Sequence, residues 1–182
     1  MNAQRVLIHR EQIASRVREL GEQIAADLAA APPAPVVLVP ILTGSFVFLA
    51  DLIRHMPVKM SIRPITVSSY PGRATASQGA EIRGELPTNL AGSHVLLVDD
   101  ILDTGRTLGL IKRMLEAQGP ASLRIAVLLR KHKPAGRSEE VDVDYAAFEI
   151  DDHFVVGYGL DYDGYFRNLP DILTLEEAPV DG

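Results

Sequence analysis

Apolar residues recur at spacings of three and four through Ile13, Val17, Leu20, Ile24 and Leu28, with Glu11, Arg16, Arg18 and Glu22 between them. That period puts one apolar stripe on a helical cylinder and predicts an amphipathic helix, which the proline-rich stretch 31–35 ends. Residues 36–42 are almost continuously apolar instead, the pattern of a strand covered on both faces. The turn Thr43-Gly44-Ser45 follows, then an apolar helix over about 46–55. A second strand is predicted over about 59–69 from Met60, Ile62, Ile65 and Val67, with Pro64 marking an edge or a bulge. Strand patterns return at 95–98, 123–129 and 145–150, with a short apolar-aromatic run at 154–158. After the first of these, Leu108, Ile111, Met114 and Leu115 resume helical spacing until Gln118-Gly119-Pro120.

Strands separated by helices predict an α/β fold, with a mostly parallel central sheet flanked by helices and a smaller C-terminal addition. Ligands of such sheets bind beyond the carboxyl ends of the strands. The chain has 182 residues, 47% hydrophobic and 23% charged, enough for one domain spanning 1–182. Its net charge of −6, with no basic cluster beyond Arg130-Lys131-His132-Lys133, argues against a nucleic-acid partner. The absence of cysteine excludes disulfides, thiolate metal sites and cysteine nucleophiles. No secretory apolar segment and no run of membrane-spanning length is present, so a soluble cytoplasmic protein without a membrane partner is expected. Residues 69–81 are polar and small without periodicity; a loop this long inside a compact domain is often a lid or a binding loop.

Chemistry concentrates where the strand at 95–98 ends. Asp99 and Asp100 are expected to break that strand, and Asp103-Thr104-Gly105-Arg106-Thr107 forms a turn that opens the next helix. Such a turn presents unpaired N–H groups and the positive end of the helix dipole to an anion. Asp103 or Thr104 can also serve merely as a helix cap. Hard carboxylate oxygens beside a phosphate cradle suit sugar hydroxyls or a hydrated Mg2+ shared with a pyrophosphate, so a ribose phosphate is the indicated ligand. Neither the P-loop pattern nor a G-x-G-x-x-G after a strand occurs, which turns the reading away from nucleoside triphosphates and dinucleotides.

Residues 152–167 interleave aromatic, glycine and acidic residues without helical or strand spacing. That mixture suits a small planar ligand, with Phe154 stacking on a ring, main chain near Val155 reading its edge and Asp161 accepting from an amine. Taken alone, Phe154, Tyr158, Tyr162 and Phe166 read better as core, since buried aromatics are commoner than base platforms.

Residues 99–107 resemble the phosphoribosyl-pyrophosphate motif of the type I phosphoribosyltransferases: two acidic residues, an apolar pair, then D-T-G-x-T. The run Val-Val-Gly-Tyr-Gly-Leu-Asp-Tyr at 155–162 with Tyr165-Phe166-Arg167 resembles the C-terminal motif of the hypoxanthine-guanine phosphoribosyltransferases among them. So do residues 42–52, Ser68-Ser69-Tyr70 and Leu128-Leu129-Arg130-Lys131, in the family's order.

That resemblance implies Mg2+-dependent transfer of a phosphoribosyl group from phosphoribosyl pyrophosphate to a 6-oxopurine, with release of pyrophosphate. It gives Asp99 and Asp100 the ribose hydroxyls and the metal-bound substrate, and Asp103 the N7 side of the purine as catalytic carboxylate. Asp103, Thr104, Gly105, Arg106 and Thr107 would cradle the 5′-phosphate. Lys131 would donate to the 6-oxo group, Phe154 would stack on the base and Val155 would offer main-chain contacts. Asp161 would coordinate a second Mg2+, Arg167 would bind pyrophosphate oxygens, and Ser69 and Tyr70 would lead the lid. Similar enzymes are dimers or tetramers, and a small hood formed by the C-terminal part is implied. One position departs: many relatives carry lysine before the glycine of the first loop, where this chain has Thr43, so Gly44 and the helix start behind it are left to bind pyrophosphate through backbone donors.

Overall fold

The computed structural model describes residues 3–68, 81–83, 86–132 and 140–176. In chain order the elements are β1 (Ala3–Ile8), α1 (Arg10–Ala30), β2 (Val36–Leu42), α2 (Phe46–Leu52), β3 (Met60–Ile62), β4 (Ile65–Ser68) and β5 (Glu81–Arg83). Then come β6 (His94–Leu102), α3 (Arg106–Glu116), β7 (Ser122–Lys131), β8 (Tyr145–Ile150), β9 (Val155–Val156) and β10 (Ile172–Glu176). A single turn of 3-10 helix, Ile53–His55, extends α2.

The main sheet runs β5-β4-β2-β6-β7-β8, and its pairings are parallel except for β4 with β5. The strand predicted over 59–69 is two strands on one flank of β2: β3 pairs with Val36 to Leu38, and β4 pairs with Ile41 and Leu42. Pro64, which has no N–H to donate, falls in the break, while the Arg63 amide still donates to the Leu38 carbonyl at 2.9 Å.

Alternate residues of the central strands feed two separate cores. Leu38, Leu96 and Val98 pack with Ile13, Val17, Leu20 and Ile24 of α1 and with Phe48 and Leu52 of α2. Val37, Val39, Val95 and Leu97 pack with Leu108, Ile111 and Leu115 of α3. The two-residue period of a strand produces this division, and it explains why these strands read as unbroken apolar runs. The open edge of β8 is closed by Arg16 of α1, whose guanidinium donates to the carbonyls of Ala146 and Ala147 at 3.0 and 2.9 Å.

The hood is an antiparallel sheet in the order β1-β10-β9. It was expected from the C-terminal part, yet one of its three strands comes from the other end of the chain: Ala3 to Val6 pair with Glu176 to Leu173. Arg10 locks this closure by donating from its amide and guanidinium to Asp171, at 2.8 and 2.7 Å. The Asp171 carboxyl is thereby held below its ordinary range, mainly by the Arg10 hydrogen bonds. Among the described residues no helix is long and apolar enough to cross a membrane.

Candidate active site

Asp99 and Asp100 lie inside β6 rather than beyond it. The strand continues to Leu102 because β7 continues beside it, with Asp99 opposite Val127 and Leu102 opposite Arg130. The expectation that the two aspartates break the strand is therefore corrected: the neighbour keeps satisfying the backbone, and the carboxylates turn into a cavity instead of a core. Asp99 is 7% exposed. Burial first, and then the charge of Asp100, push its carboxyl well above the ordinary range. Asp100 is raised by burial as well, with Arg167 acting in the opposite sense. Two adjacent desolvated carboxylates form a donor set that suits a hard cation.

The Asp100 carboxylate lies against the backbone of the first loop. A Cβ on Gly44 would collide with it, and one on Gly159 would collide with the Gly44 carbonyl oxygen. Only glycine permits this three-layer approach of loop, acid and hood. The peptide between Leu42 and Thr43 is cis.

Beyond β6, Gly105 at φ 81° turns the chain into α3, and among the described residues no side chain caps that helix. The capping role open to Asp103 or Thr104 is not taken, so the helix start is left facing a cavity of about 890 Å³. Its walls include Thr43, Gly44, Asp99, Asp100, Asp103, Thr104, Gly105 and Thr107 on one side, and Phe154, Asp161 and Arg167 on the other. Arg106 is exposed and outside the lining, so its share of a phosphate cradle would be its main chain.

The base side is organised around Lys131, the last residue of β7. Its ammonium is buried and lies 2.9 Å from Asp152 and 3.4 Å from Asp103. Phe154 is 51% exposed, with the Tyr162 ring edge-on at 5.6 Å. Val155 is buried and pairs with Thr174. The bond from the Leu175 amide to the Phe154 carbonyl sets the ladder alternation so that Val155 turns its own N–H and C=O away from β10. Asp161 accepts from the Gly164 amide at 2.8 Å and pairs with Arg167 at 2.7 Å. Arg167 also donates to the Gly159 carbonyl at 2.6 Å.

Ser69, Tyr70 and the lid expected over 69–81 lie outside the described residues, apart from the backbone of Glu81, which starts β5. Of the chain that precedes them, Thr66 and Val67 of β4 line the cavity. Thr43 lines it with a neutral hydroxyl. Among the described residues, the one group of three ligand side chains with donor atoms within 4.8 Å of one another is His9, Glu11 and Asp171, on the surface. Asp99, Asp100 and Asp161 form no such trio, and an arrangement of separate cation positions fits them better than a single one.

Sequence reasoning missed the ties between the halves. The Tyr158 hydroxyl donates to Asp51 of α2 at 2.7 Å, and burial followed by this bond raises the phenol far above its usual range. The Gly-Tyr-Gly triplet at 157–159, with all three residues at positive φ, was the visible signal for a sharply bent segment there. Nothing in the sequence singled out Asp152.

A phosphoribosyl transferase domain model matches residues 7–163. The chain is 40% identical over 173 residues to the hypoxanthine-guanine phosphoribosyltransferase of Streptococcus pneumoniae, covering 95% of this chain and 93% of that protein. A hypoxanthine phosphoribosyltransferase from Staphylococcus aureus superposes with a TM-score of 0.84 at 39% identity, over 94% of this chain and 91% of that one. The Trypanosoma cruzi hypoxanthine phosphoribosyltransferase in complex with its product IMP superposes with a TM-score of 0.83 at 38% identity, over 94% and 93%.

Proposed function

The chain belongs to the hypoxanthine-guanine phosphoribosyltransferases of the type I family, and we propose from that premise how its own residues divide the work. It is a purine-salvage enzyme that transfers the phosphoribosyl group of phosphoribosyl pyrophosphate to hypoxanthine, giving IMP and pyrophosphate. Guanine is the second acceptor in this proposal. The observation that carries the assignment is the facing of two dissimilar walls across one cavity: an uncapped helix start with the carboxylates of Asp99 and Asp100, and the Phe154 platform, with the buried Lys131 ammonium 3.4 Å from the cavity-lining Asp103.

Residues Asp103 to Thr107 hold the 5′-phosphate through main-chain N–H groups and the hydroxyls of Thr104 and Thr107. Asp99 and Asp100 would hold the ribose hydroxyls and, with Asp161, the Mg2+ ions; the repulsion between the adjacent desolvated pair is the feature a cation would relieve. When bound, Mg2+ would supply charge neutralisation for the departing pyrophosphate. Gly44 and Arg167 contact pyrophosphate oxygens, with Thr43 adding no charge. Phe154 stacks on the purine, the outward N–H and C=O of Val155 meet its edge, and Lys131 donates to the 6-oxo oxygen.

In the reaction, the bond from the ribosyl anomeric carbon to pyrophosphate breaks as a purine nitrogen bonds to that carbon. The electron pair leaves with pyrophosphate, and the proton on the purine passes to Asp103. Such acid–base help is worth roughly 10²–10⁴-fold. Family membership further supports a cytoplasmic enzyme with one domain over 1–182, assembled as a dimer or tetramer; sedimentation of the purified chain tests the assembly.

The test of function is release of pyrophosphate from phosphoribosyl pyrophosphate and Mg2+ with hypoxanthine, guanine, xanthine or adenine offered singly. Turnover with hypoxanthine and guanine far above adenine is expected. Binding of the sugar pyrophosphate without turnover on any base would make the protein a sensor.

A further inference from the structure

β7 and β8 run parallel and end together, with Lys131 opposite Ile150, and the His132 amide donates to the Ile150 carbonyl at 2.7 Å. The chain then needs only residues 151–153 to travel from the end of β8 to the Phe154 platform. Asp152 sits in that short link, and its carboxylate reaches the Lys131 ammonium at 2.9 Å. Asp103 approaches the same ammonium at 3.4 Å.

The two carboxylates are not equivalent. Asp103 lines the cavity, whereas Lys131 and Asp152 do not, so the ammonium meets the cavity through Asp103 and makes its shorter contact with a carboxylate outside that lining. The lysine side chain is only 10% exposed, and an ammonium so desolvated needs ionic partners. One of them, Asp103, is also required elsewhere, because its oxygens have to face the purine proton. If the ammonium closed on Asp103, it would compete for that carboxylate and turn away from the base. The closer approach of Asp152 opposes this.

We propose that Asp152 is a positioning residue that anchors the Lys131 ammonium from behind, holding it off Asp103 and aimed at the 6-oxo oxygen of the purine. The inference rests on the roles given above to Lys131 and Asp103. Its consequence is a specificity device outside the substrate contacts. Asp152 touches no reacting atom, yet it sets how strongly a 6-oxo base is preferred over a purine lacking that oxygen.

Steady-state kinetics of the full chain test it, with KM and kcat for hypoxanthine, KM for phosphoribosyl pyrophosphate, and the inhibition constant of unsubstituted purine as competing base. Asp152→Asn is expected to lower kcat/KM for hypoxanthine about tenfold, the scale of one charge-assisted hydrogen bond. The purine inhibition constant and the KM for the sugar pyrophosphate should stay within about twofold, the same bond being absent from both complexes. Asp152→Glu, which keeps the charge, should recover part of the loss and stands in if Asp152→Asn fails to fold. Equal losses for hypoxanthine and purine, or no loss for hypoxanthine, would overturn the anchor. Lys131→Gln separates this from the underlying reading. If Lys131→Gln leaves the advantage of hypoxanthine over purine intact, the 6-oxo role of Lys131 is wrong; if it removes that advantage while Asp152→Asn does not, the anchor alone is wrong.

Discussion

The phosphate wall and the base wall of the cavity are built on opposite plans. The phosphate wall comes from two strand-turn-helix units, β2 with the loop at Thr43 and Gly44 and β6 through the start of α3, and works through backbone, close glycine contacts and paired carboxylates. The base wall is assembled from the end of β7, the link after β8, and a hood in which β1 and β10 join opposite ends of the chain. Binding a phosphate needs N–H groups and a field, which a single strand-turn-helix unit provides. Reading one planar base needs a stacking surface, an edge and a directed donor at once, and no local segment offers all of these.

The largest effect is expected at the point where the two walls meet. Asp103→Asn removes a proton acceptor while keeping size and hydrogen-bonding capacity, so kcat should fall by roughly 10²–10⁴. The KM for phosphoribosyl pyrophosphate should change little. An unchanged kcat would remove Asp103 from the acid–base role.

Next in size is Gly44→Ala, on the phosphate side. The added Cβ meets the Asp100 carboxylate, and a displacement on the order of 1 Å in a positioning group can cost about 10² in rate. Here kcat/KM for the sugar pyrophosphate should fall by about that factor, while binding of a 6-oxopurine nucleotide should lose less, because its base wall is untouched. Equal losses in both would mean that the walls are not separable.

The smallest effect lies in the closure of the hood. Arg10 depresses the Asp171 carboxyl, so the stabilisation is fully present above the unfolded carboxylate value of about 3.9 and disappears as pH falls through the lower folded value. Melting curves of the parent and Asp171→Asn should differ slightly at pH 6 and converge only once the pH has fallen below the depressed folded value, where both are uncharged at this position. A difference that persisted at low pH would show that Asp171 acts through packing and not through its ion pair.

The same contrast explains what could be read from the sequence. The central strands, α1 and α3 were legible because their apolar period is set by burial on two faces of one sheet. Asp99, Asp100 and the turn at 103–107 were legible because their chemistry is contiguous. β1 was not, since Ala3 to Ile8 become a strand only by pairing with residues about 170 positions away. Asp152 and the Asp51 bond to Tyr158 were hidden for the same reason: each acquires meaning from a partner that only the fold supplies. The continuation of β6 through its two aspartates depends likewise on β7 running on beside it.

A structure of the protein crystallised with IMP tests the division of the site most directly. The 5′-phosphate is expected within hydrogen-bond distance of the main-chain N–H groups of residues 104–107, the ring against Phe154, and the 6-oxo oxygen on the Lys131 ammonium with Asp152 still in contact with it. A purine ring lying away from Phe154, or a 6-oxo oxygen whose donor is not Lys131, would contradict it.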